Sequence, residues 1–311
     1  MKISIIIATY RRYEDLKRCL ESMIHLETDL SFSYNVIVVD NACDDTTKEI
    51  ICSFQKTPSF AIQYLSEPSQ GKCNAVNLGI KNSTADILAF TDDDVLVDSQ
   101  WLKQIVNCFR NYNCDGVGGK VLPRYTKQTP QWIKDCAKEL GGPIVYYNQG
   151  EDTHLYQKPQ LEFLGANFSC KRDVFDKIGL FRTDIGPGKA VMGDDTEFIN
   201  RMVKAGMTLY YCGQSFVWHP VPSERITLVY IARWNMMVGR YRFMIDDKGE
   251  LKKNVVCWFG VPRYLINSII SQTARTIFFI FDRKKFIVSW SQLFIEWGKV
   301  LAIRKDCCHK P

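Results

Sequence analysis

Three consecutive carboxylates, Asp92, Asp93 and Asp94, follow directly after a short apolar run that ends at Phe90. Neighbouring like charges repel one another, so such a segment lowers stability unless a cation neutralises it. Carboxylate oxygens are hard ligands of the kind that Mg²⁺ and Mn²⁺ prefer, and the phosphates of a nucleotide can complete the coordination shell. The segment therefore predicts a divalent-metal site at the end of a buried strand, with Mn²⁺ or Mg²⁺ as the cofactor.

A second acidic cluster stands at residues 193–197, which read Gly-Asp-Asp-Thr-Glu. These carboxylates are typical of a capped helix N-terminus, where acidic side chains are favoured. They also suit a general base beside a reacting hydroxyl group, and both interpretations stay open. His219 follows a predicted strand. A single histidine is more often structural, but together with three aspartates it becomes a candidate metal ligand.

Two further polar groups lie where a phosphorylated ligand could bind. Lys72 begins a predicted helix, so its ammonium group and the helix N-terminus could both face a diphosphate. Asp40 ends a predicted strand, where a carboxylate can accept hydrogen bonds from a base or a ribose. Neither GxGxxG nor GxxxxGK[ST] follows the first strand, which disfavours a dehydrogenase or a P-loop nucleotidase.

The elements that must position these groups alternate regularly over the first 110 residues. Apolar runs typical of buried strands cover residues 3–8, 36–39, 62–65 and 87–90. Helical patterns lie between and after them, at residues 13–25, 44–54, 71–81 and 101–109. This alternation predicts an α/β fold with a mainly parallel central sheet. Ligands of such sheets bind beyond the carboxyl ends of the strands, which places residues 9–12, 40–41 and 91–94 at the expected site.

The pattern of the following part is less regular. Predicted strands cover residues 117–121, 162–170, 208–211 and 216–218, and predicted helices cover 172–178, 194–205 and 226–242. Residues 123–159 show no clear period and are predicted to be rich in loops. Residues 183–193 contain several glycines, which predicts a mobile loop that could close over a ligand.

The positive charge is concentrated towards the C-terminus. Residues 231–311 contain fifteen Lys or Arg and six Asp or Glu, whereas the first 230 residues contain 25 basic and 28 acidic residues. Such an excess favours a polyanionic partner, either anionic lipid or nucleic acid, although a solvated helix face would show the same pattern. The twelve scattered cysteines include no CxxC pair, so they are interpreted as reduced thiols of a cytoplasmic protein.

Aromatic residues within this basic segment predict amphipathic helices near the C-terminus. Five apolar residues recur at helical spacing: Ile287, Trp290, Phe294, Trp297 and Leu301. Arginines interrupt the apolar segment, which favours a helix lying in a membrane interface over one that spans the membrane. The alternative is that this face packs against the domain that precedes it, and both arrangements are compatible. The interleaved aromatics could also stack on bases, but their helical spacing fits a membrane surface better, so no nucleic-acid partner is expected.

Several segments occur in a characteristic order along the chain: SIIIATYRR, VVDN, GKCNAVNLGI, FTDDDV, GANFSCKRDVFDKIGLF, GDDTEF, VWHP and ARW. Together they resemble the family 2 glycosyltransferases over about residues 2–240. The resemblance implies the GT-A fold of nucleotide-diphospho-sugar transferases. It also implies a metal-dependent, hexosyltransferase-like enzyme that moves a sugar from a nucleotide-diphosphate sugar, with a UDP-sugar favoured, to an acceptor hydroxyl.

The resemblance implies roles for individual residues as well. Those implied to bind the nucleotide sugar are Thr9, Tyr10, Arg11, Asp40, Lys72, Asp92 and Asp93. Those implied to line the donor sugar and acceptor are Gly165, Ala166, Asn167, Arg233 and Trp234. Asp94 and His219 are the implied metal ligands, and Asp195 is the implied catalytic base, with Asp194 as the alternative. Tyr230 replaces the Gln of the family's QxxRW motif, which favours transfer of single sugars over processive synthesis.

The expected organisation is a catalytic domain over residues 1–222 and an extension over residues 223–311. The catalytic domain would comprise a nucleotide-sugar half (1–115) and an acceptor half (116–222). The extension would be helical, basic and aromatic, and would hold the enzyme peripherally at the inner face of the cell membrane. The expected reaction is an inverting displacement onto a saccharide or lipid-linked acceptor, in polysaccharide or glycolipid biosynthesis.

Two other functions remain as alternatives. A sugar nucleotidyltransferase would need a glycine-rich loop after the first strand, and the sequence ATYRR there contains no glycine. A non-catalytic protein that binds nucleotide sugars or polyanions would not need both acidic clusters.

Overall fold

The computed structural model describes residues 1–58, 60–157, 163–187, 189, 191–246 and 256–308, without the side chains of 245–246 and 304–308. The chain divides into two compact units. The first comprises residues 1–124, 147–190 and 194–220, and the second comprises residues 125–146, 191–193 and 221–311. The second unit therefore takes residues 125–146 and 191–193 in addition to the extension expected after residue 222.

A nine-stranded sheet forms the centre of the first unit. Its strands are β1 (Lys2–Thr9), β2 (Ser33–Asp40), β3 (Ile62–Ser66), β4 (Ile87–Asp92), β5 (Leu96–Val97), β6 (Gly116–Arg124), β7 (Thr153–Leu155), β8 (Phe168–Lys171) and β9 (Leu209–Pro220). Their order is β3-β2-β1-β4-β8-β6-β9-β5, and β7 pairs with β9. Strands β3, β2, β1 and β4 are parallel, and β6 is parallel to β9, while β8 runs antiparallel to both β4 and β6.

Helices cover this sheet and build most of the second unit. In the first unit they are α1 (Tyr13–Ile24), α2 (Asp45–Phe54), α3 (Lys72–Asn82), α4 (Trp101–Asn111), α7 (Val174–Ile178) and α8 (Asp194–Lys204). In the second unit they are α5 (Gln131–Asp135), α6 (Ala137–Leu140), α9 (Leu228–Tyr241), α10 (Arg263–Phe278) and α11 (Arg283–Cys308). A short hairpin of β10 (Cys257–Trp258) and β11 (Val261–Pro262) precedes α10.

The parallel strands bring the predicted polar residues to one edge of the sheet. Residues 5–7 of β1 are completely buried isoleucines, as expected for a strand covered on both faces. In the strand register, Thr9 at the end of β1 lies beside Asp40 of β2, and Ala8 lies beside Asp92 of β4. The predicted α/β fold with a mostly parallel sheet is confirmed, and its carboxyl edge carries the acidic segment.

The second unit has its own apolar core. Ile133, Leu140 and Ile144 pack in one buried cluster with Ile231 of α9 and Ile287 of α11. Helices α9 and α11 approach each other closely at two glycines. A Cβ atom at Gly239 would overlap the Ile295 carbonyl, and one at Gly298 would overlap the Met236 carbonyl.

Some expected elements differ from those observed. The loop-rich stretch 123–159 contains α5, α6, a 3-10 turn at Gly142–Ile144 and β7, which are all too short to produce a periodic pattern. The strand expected over residues 162–170 begins at Phe168, after a 3-10 turn at Gly165–Asn167, and residue 162 lies outside the described residues. The strands expected at 208–211 and 216–218 form one strand, β9, opposite a register shift in β6.

The predicted apolar face of α11 does not form a single surface. Ile287 is buried, whereas Trp297 is 43% exposed. In the described part of the chain, residues Arg283–Ile303 of α11 form one helix long and apolar enough to cross a membrane by length and composition, and half of it is buried inside the protein. Helix α11 packs within the second unit, against α9, α10 and α6, and this packing accounts for that buried half. Of these, α6 belongs to the preceding domain that the alternative interpretation named.

Candidate active site

Asp92, Asp94 and His219 converge at the carboxyl edge of the sheet. His219 lies near the end of β9, and its Nε2 atom is 3.3 Å from Asp94 Oδ1 and 3.8 Å from Asp92 Oδ2. One ligand atom from each residue lies within 4.8 Å of the other two. Asp94 and His219 are almost completely buried, whereas Asp92 remains partly accessible. Because Asp94 and His219 are buried and Asp92 is accessible, a metal ion with a bound nucleotide can reach the site from solvent.

The hydrogen bond of the second ring nitrogen fixes the orientation of His219. Its Nδ1 atom lies 2.9 Å from the backbone oxygen of Pro220. A carbonyl can only accept a hydrogen bond, so Nδ1 carries a proton, and Nε2 is the ring nitrogen that faces the carboxylates. A backbone carbonyl that orients an imidazole in this way is common behind metal ligands.

The oxygen of Asp94 that faces His219 supports a cation at this position. Asp94 Oδ1 is buried and accepts no hydrogen bond from the described residues. A buried carboxylate oxygen without a hydrogen-bond partner is costly, and His219 Nε2 lies 3.3 Å from it. A divalent ion coordinated by both atoms would remove this cost, and the mixed oxygen and nitrogen donors suit Mn²⁺ or Mg²⁺. The residues present therefore fit the expected metal.

Arg12 lies in the segment 9–12 expected at the site, although the sequence predicted no individual role for it. Its guanidinium donates to Asp93 Oδ1 at 3.0 Å and to Asp94 Oδ2 at 2.8 Å. Thr9 also donates to Asp93, at 2.8 Å. Burial raises the pKa of Asp93 to about 7, although the charge of Arg12 acts in the opposite direction. Asp93 is thus held by protein groups, and Arg12 neutralises part of the triple-aspartate segment.

The neighbouring Arg11, which was expected to bind the nucleotide, does not face the carboxylates of Asp93 and Asp94. It has a φ of 53° and lies exposed, with its guanidinium 5.5 Å from the ring of Tyr10. Tyr10 is also exposed, at 45%. The two side chains are accessible to a ligand next to the strand end. The left-handed residue turns the chain so that Arg12, and not Arg11, faces the carboxylates.

Lys72 at the start of α3 connects the acidic groups. Its ammonium lies 2.5 Å from Asp92 Oδ1. Burial alone would lower the pKa of Lys72, but the charges of Asp92 and Asp194 raise it above its ordinary value. For Asp92, burial would raise the pKa, but the charge of Lys72 holds it well below its usual range. Lys72 is therefore a cation and Asp92 an anion at neutral pH.

Asn41 positions the segment before Lys72. Its amide nitrogen donates to the backbone oxygens of Glu67 at 2.8 Å and Ser69 at 2.9 Å. Its side-chain oxygen accepts a hydrogen bond from the backbone of Gly71 at 2.8 Å. The end of β2 is in this way tied to the N-terminus of α3; Asn41 lies in the segment 40–41 expected at the site, but no individual role was predicted for it.

Asp40, expected at the base or ribose, is completely buried. Its carboxylate accepts hydrogen bonds from the backbone of Ala42 at 2.9 Å, from the backbone of Asp44 at 2.7 Å, and from the hydroxyl of Tyr64 at 3.2 Å. These contacts shape the turn after β2. In this structure Asp40 supports the wall of the site rather than presenting its carboxylate to a ligand.

Asp194 and Asp195 begin α8 and differ in their surroundings. Asp195 accepts two backbone hydrogen bonds at 2.8 Å, from Gly165 to Oδ2 and from Thr196 to Oδ1. Asp194 has a thiol contact, with Cys73 Sγ 3.5 Å from Oδ2. Burial, followed by the charge of Asp195, raises the pKa of Asp194 to about 6. The backbone thus fixes the carboxylate of Asp195, whereas the raised pKa of Asp194 lies closer to neutral pH.

Hydrogen bonds to neighbouring strands hold the segment 165–167 beside the site. Asn167 is buried, and its amide nitrogen donates to the backbone oxygens of Lys120 and Ser215 at 2.8 and 3.1 Å. The Ala166 oxygen accepts from Thr91 at 2.9 Å. Asn167, expected to line the sugar, therefore points into the protein. Gly165 is the member of this segment that lines the pocket.

One pocket is lined by Lys72, Gly165 and the Asp194–Asp195 pair, and its lining does not include Asp92, Asp94 or His219. Its polar lining comprises Lys72, Cys73, Thr91, Gly165, Asp194 and Asp195, and its apolar lining comprises Ile6, Val76, Phe90 and Phe181. The structure thus brings the strand end of β4, the start of α3 and the start of α8 around one cavity. Arg233 and Trp234 lie on α9 in the second unit, where the Trp234 indole packs against Gly142.

Comparison with known proteins agrees with this arrangement. The model of Glycosyl transferase family 2 matches residues 4–179. The succinoglycan biosynthesis protein ExoM of Rhizobium meliloti (strain 1021) is 28% identical over 240 residues, covering 77% of this chain and 74% of ExoM.

Solved structures share the fold at low sequence identity. Mannosyltransferase PcManGT from Pyrobaculum calidifontis, in complex with GDP-Man and Mn²⁺, matches 99% of this chain and 76% of its own, with a TM-score of 0.58 and 15% identity. S. aureus TarS 1–349 in complex with UDP matches 96% of this chain and 92% of its own, with a TM-score of 0.54 and 13% identity. The architecture is that of the GT-A glycosyltransferases, and the chain belongs to glycosyl transferase family 2.

Proposed function

We propose that this protein is a metal-dependent, inverting glycosyltransferase. It transfers a sugar from a nucleotide-diphosphate sugar, with a UDP-sugar as the favoured donor, to an acceptor hydroxyl in polysaccharide or glycolipid biosynthesis. The observation that carries the proposal is the convergence of Asp92, Asp94 and His219, with a buried carboxylate oxygen to which none of the described residues donates a hydrogen bond. Binding proteins without catalytic activity have no need for such a costly arrangement beside a second carboxylate pair.

Asp94 and His219 would hold Mn²⁺ or Mg²⁺, with Asp92 available to the same ion or to the ribose. When bound, the metal supplies positive charge that stabilises the leaving diphosphate. Lys72 adds a second positive charge at the N-terminus of α3. Its ammonium already pairs with Asp92, and a diphosphate placed there would share it. Groups that are already in position before the donor binds would thus stabilise the negative charge that develops on the leaving diphosphate.

Asp195 is the proposed general base. Its two backbone hydrogen bonds keep the carboxylate in one orientation at the edge of the pocket. The acceptor hydroxyl oxygen attacks the anomeric carbon from the face opposite the diphosphate, the bond to the diphosphate breaks, and the proton passes to Asp195. Attack on that face inverts the configuration, and a positioned base of this kind contributes about 10²–10⁴ in rate. The neighbouring Asp194 adds a second carboxylate whose charge interacts with that of Asp195.

The substrates are proposed from the relatives and from the charge of the chain. The name of ExoM refers to succinoglycan biosynthesis, which supports a polysaccharide or its lipid-linked precursor as the acceptor. A UDP complex of TarS and a GDP-Man complex of PcManGT both support a nucleotide-linked donor. The basic C-terminal segment supports a position at the inner face of the cell membrane, where lipid-linked acceptors are found.

The test is binding and turnover of a panel of UDP-, GDP- and dTDP-sugars, with and without Mn²⁺. The variants are Asp94→Ala and, as a matched control, Asp152→Ala, which removes an exposed carboxylate outside the site. We expect one donor to bind only with metal, and Asp94→Ala alone to lose this binding. If no donor bound and both variants matched the wild type, the metal-dependent transferase would be refuted. Metal-dependent binding without hydrolysis or transfer would indicate the non-catalytic alternative.

A further inference from the structure

Helix α10 and the turn that follows it expose large apolar side chains. Ile277 is 67% exposed, Phe278 80% and Phe281 98%, and Ile270 and Ile280 are also exposed. These residues lie in a well-packed helix and its C-terminal turn, since the backbone of Phe279 bonds to the oxygen of Arg275 at 2.9 Å. So large an apolar surface on a folded element marks an interaction site more often than chance exposure.

The exposed residues lie on one face of the helix and at its C-terminal end. Ile270, Ala274 and Ile277 follow the spacing of three and four residues that places side chains on one side of an α-helix, whereas Phe278 ends the helix and Ile280 and Phe281 lie in the turn after it. The same spacing continues back through Asn267 to Arg263 at the first turn of α10. Leu265 and Thr276, which lie off this series, are buried and face the unit's own core. Helix α10 therefore has one packed face and one exposed face, which is apolar towards its C-terminal end and has no partner among the described residues.

Aromatic residues mark both ends of this face. At the N-terminal end, the Arg263 guanidinium lies 5.0 Å from the ring of Trp258, and Phe259 at the tip of the hairpin is 97% exposed. At the C-terminal end stand Phe278 and Phe281. Aromatic and arginine side chains at both ends of an apolar helix face are typical of helices that lie in a membrane interface.

Basic residues surround the C-terminal end of the face. Lys284 and Lys285 are exposed, and they lie 3.8 and 3.0 Å from Glu139 and Asp282, respectively. For Arg275 and Arg283 the described residues provide no acidic partner, and both are exposed. The local charge is therefore positive, which is complementary to anionic phospholipid headgroups.

We propose that residues 256–285 form a docking face for an anionic phospholipid bilayer, in which α10 lies parallel to the membrane plane. The apolar residues at 270, 277, 278, 280 and 281 enter the boundary between headgroups and acyl chains, and Arg275 and Arg283 bind phosphate groups. The inference deepens the proposed function, because it rests on an acceptor that is delivered at the membrane. It also places membrane contact on α10, whereas the sequence pattern suggested α11.

A membrane fits this face better than a protein partner. A protein interface has an apolar core with a polar rim and depends on a complementary surface. Here the apolar face is narrow and convex, as any helix surface is, and cations stand beside its end. A bilayer adapts to such a shape, and its negative charge matches the flanking arginines.

The experiment is co-sedimentation of the full-length protein with vesicles of phosphatidylcholine alone and with vesicles that also contain phosphatidylglycerol. The first variant, F278S/F281S, removes the two exposed aromatic rings. The second, R275Q/R283Q, removes charge alone. The control is Leu30→Ser, because Leu30 is a fully exposed apolar residue in the first unit. Circular dichroism establishes that each variant is folded, which is expected since all five side chains point to solvent.

We expect the wild type and Leu30→Ser to bind vesicles with phosphatidylglycerol. F278S/F281S should lose about tenfold or more in partitioning, and R275Q/R283Q should bind phosphatidylcholine vesicles and anionic vesicles equally weakly. Equal binding by the wild type and F278S/F281S would overturn the proposal. So would a loss of dimers in F278S/F281S without any lipid binding by the wild type, since the face would then join two copies of the chain.

Donor hydrolysis measured without vesicles separates this inference from the proposed function. The α10 variants should hydrolyse a nucleotide sugar at the wild-type rate, because none of these residues lies at the site in the first unit. Vesicle binding without any nucleotide-sugar activity would leave the docking face intact and remove the proposed reaction. Nucleotide-sugar activity without vesicle binding would remove the docking face and leave the proposed reaction intact.

Discussion

The adjacent carboxylates Asp194 and Asp195 should respond in opposite ways to the same substitution. Both stand at the start of α8, and both line the pocket. Asp194 is charged at neutral pH against the cost of burial, whereas Asp195 is held by two backbone donors. We therefore expect Asp194→Asn to stabilise the fold near neutral pH, and Asp195→Asn to destabilise it and to abolish most of the turnover.

The magnitude for Asp194 follows from its raised pKa of about 6, against an ordinary value of 3.8. This difference corresponds to about 3 kcal/mol at most, and partial solvent access reduces it to about 1–2 kcal/mol. A carboxyl whose pKa is raised on folding stabilises the protein only while it is protonated. Its contribution to the free energy of unfolding is thus lost as the pH rises from about 4 through about 6. Asp194→Asn should remove that pH dependence.

The magnitude for Asp195 follows from its hydrogen bonds. An asparagine has one acceptor oxygen, so it can satisfy Gly165 or Thr196 but not both. One backbone N–H loses its partner, which costs about 1–3 kcal/mol of stability. Because Asp195 is the proposed base, Asp195→Asn should also lower kcat by about 10²–10⁴, equivalent to about 3–5 kcal/mol in the barrier.

Urea denaturation from acidic to neutral pH measures the first effect, and single-turnover transfer measures the second. The expected result is a flatter pH profile for Asp194→Asn with substantial remaining turnover. A variant Asp194→Asn that lost all turnover, beside an Asp195→Asn that retained it, would show that the two roles are exchanged. A destabilised Asp194→Asn near neutral pH would show that burial does not dominate the energetics of this carboxylate.

Three further predictions follow from other contacts. Arg12→Gln leaves the buried carboxylates of Asp93 and Asp94 without their cation, so the metal-free protein should lose about 1–3 kcal/mol, and thermal denaturation should show that Mn²⁺ restores part of this loss. An unchanged melting temperature would exclude this role. Asn41→Ala releases the backbone before Lys72, and steady-state kinetics should show KM for the donor rising about tenfold with a smaller change in kcat. Gly298→Ala forces a methyl group into the backbone of α9 and should cost about 3 kcal/mol in urea denaturation.

The first half of the fold could be predicted from sequence because its elements are long and buried on both faces. Residues 5–7 of β1, for example, are isoleucines without any exposed surface, and such runs between helical patterns identify parallel strands. Strand order and register then bring the residues that follow β1, β2 and β4 together, so the position of the site could be predicted as well.

Other features depend on backbone geometry that residue types do not reveal. The left-handed conformation of Arg11 decides which arginine faces the carboxylates, and an arginine at that conformation is uncommon. The turn after β2 directs Asp40 into the protein, so its carboxylate supports the loop. In the stretch 123–159, helices of four and five residues are shorter than the window in which a helical period can be recognised.

The second unit collects three separate stretches of the chain, and this has a consequence for synthesis on the ribosome. Ile133 and Ile144 leave the ribosome long before Ile287, which belongs to the same buried cluster. At translation rates of about 5–20 residues per second, these side chains wait roughly 10–30 s for their last partner. A chain that stops at residue 222 would lack Ile231 and Ile287, two of the seven buried residues of that cluster, so the nascent protein needs its C-terminal helices to cover the other five.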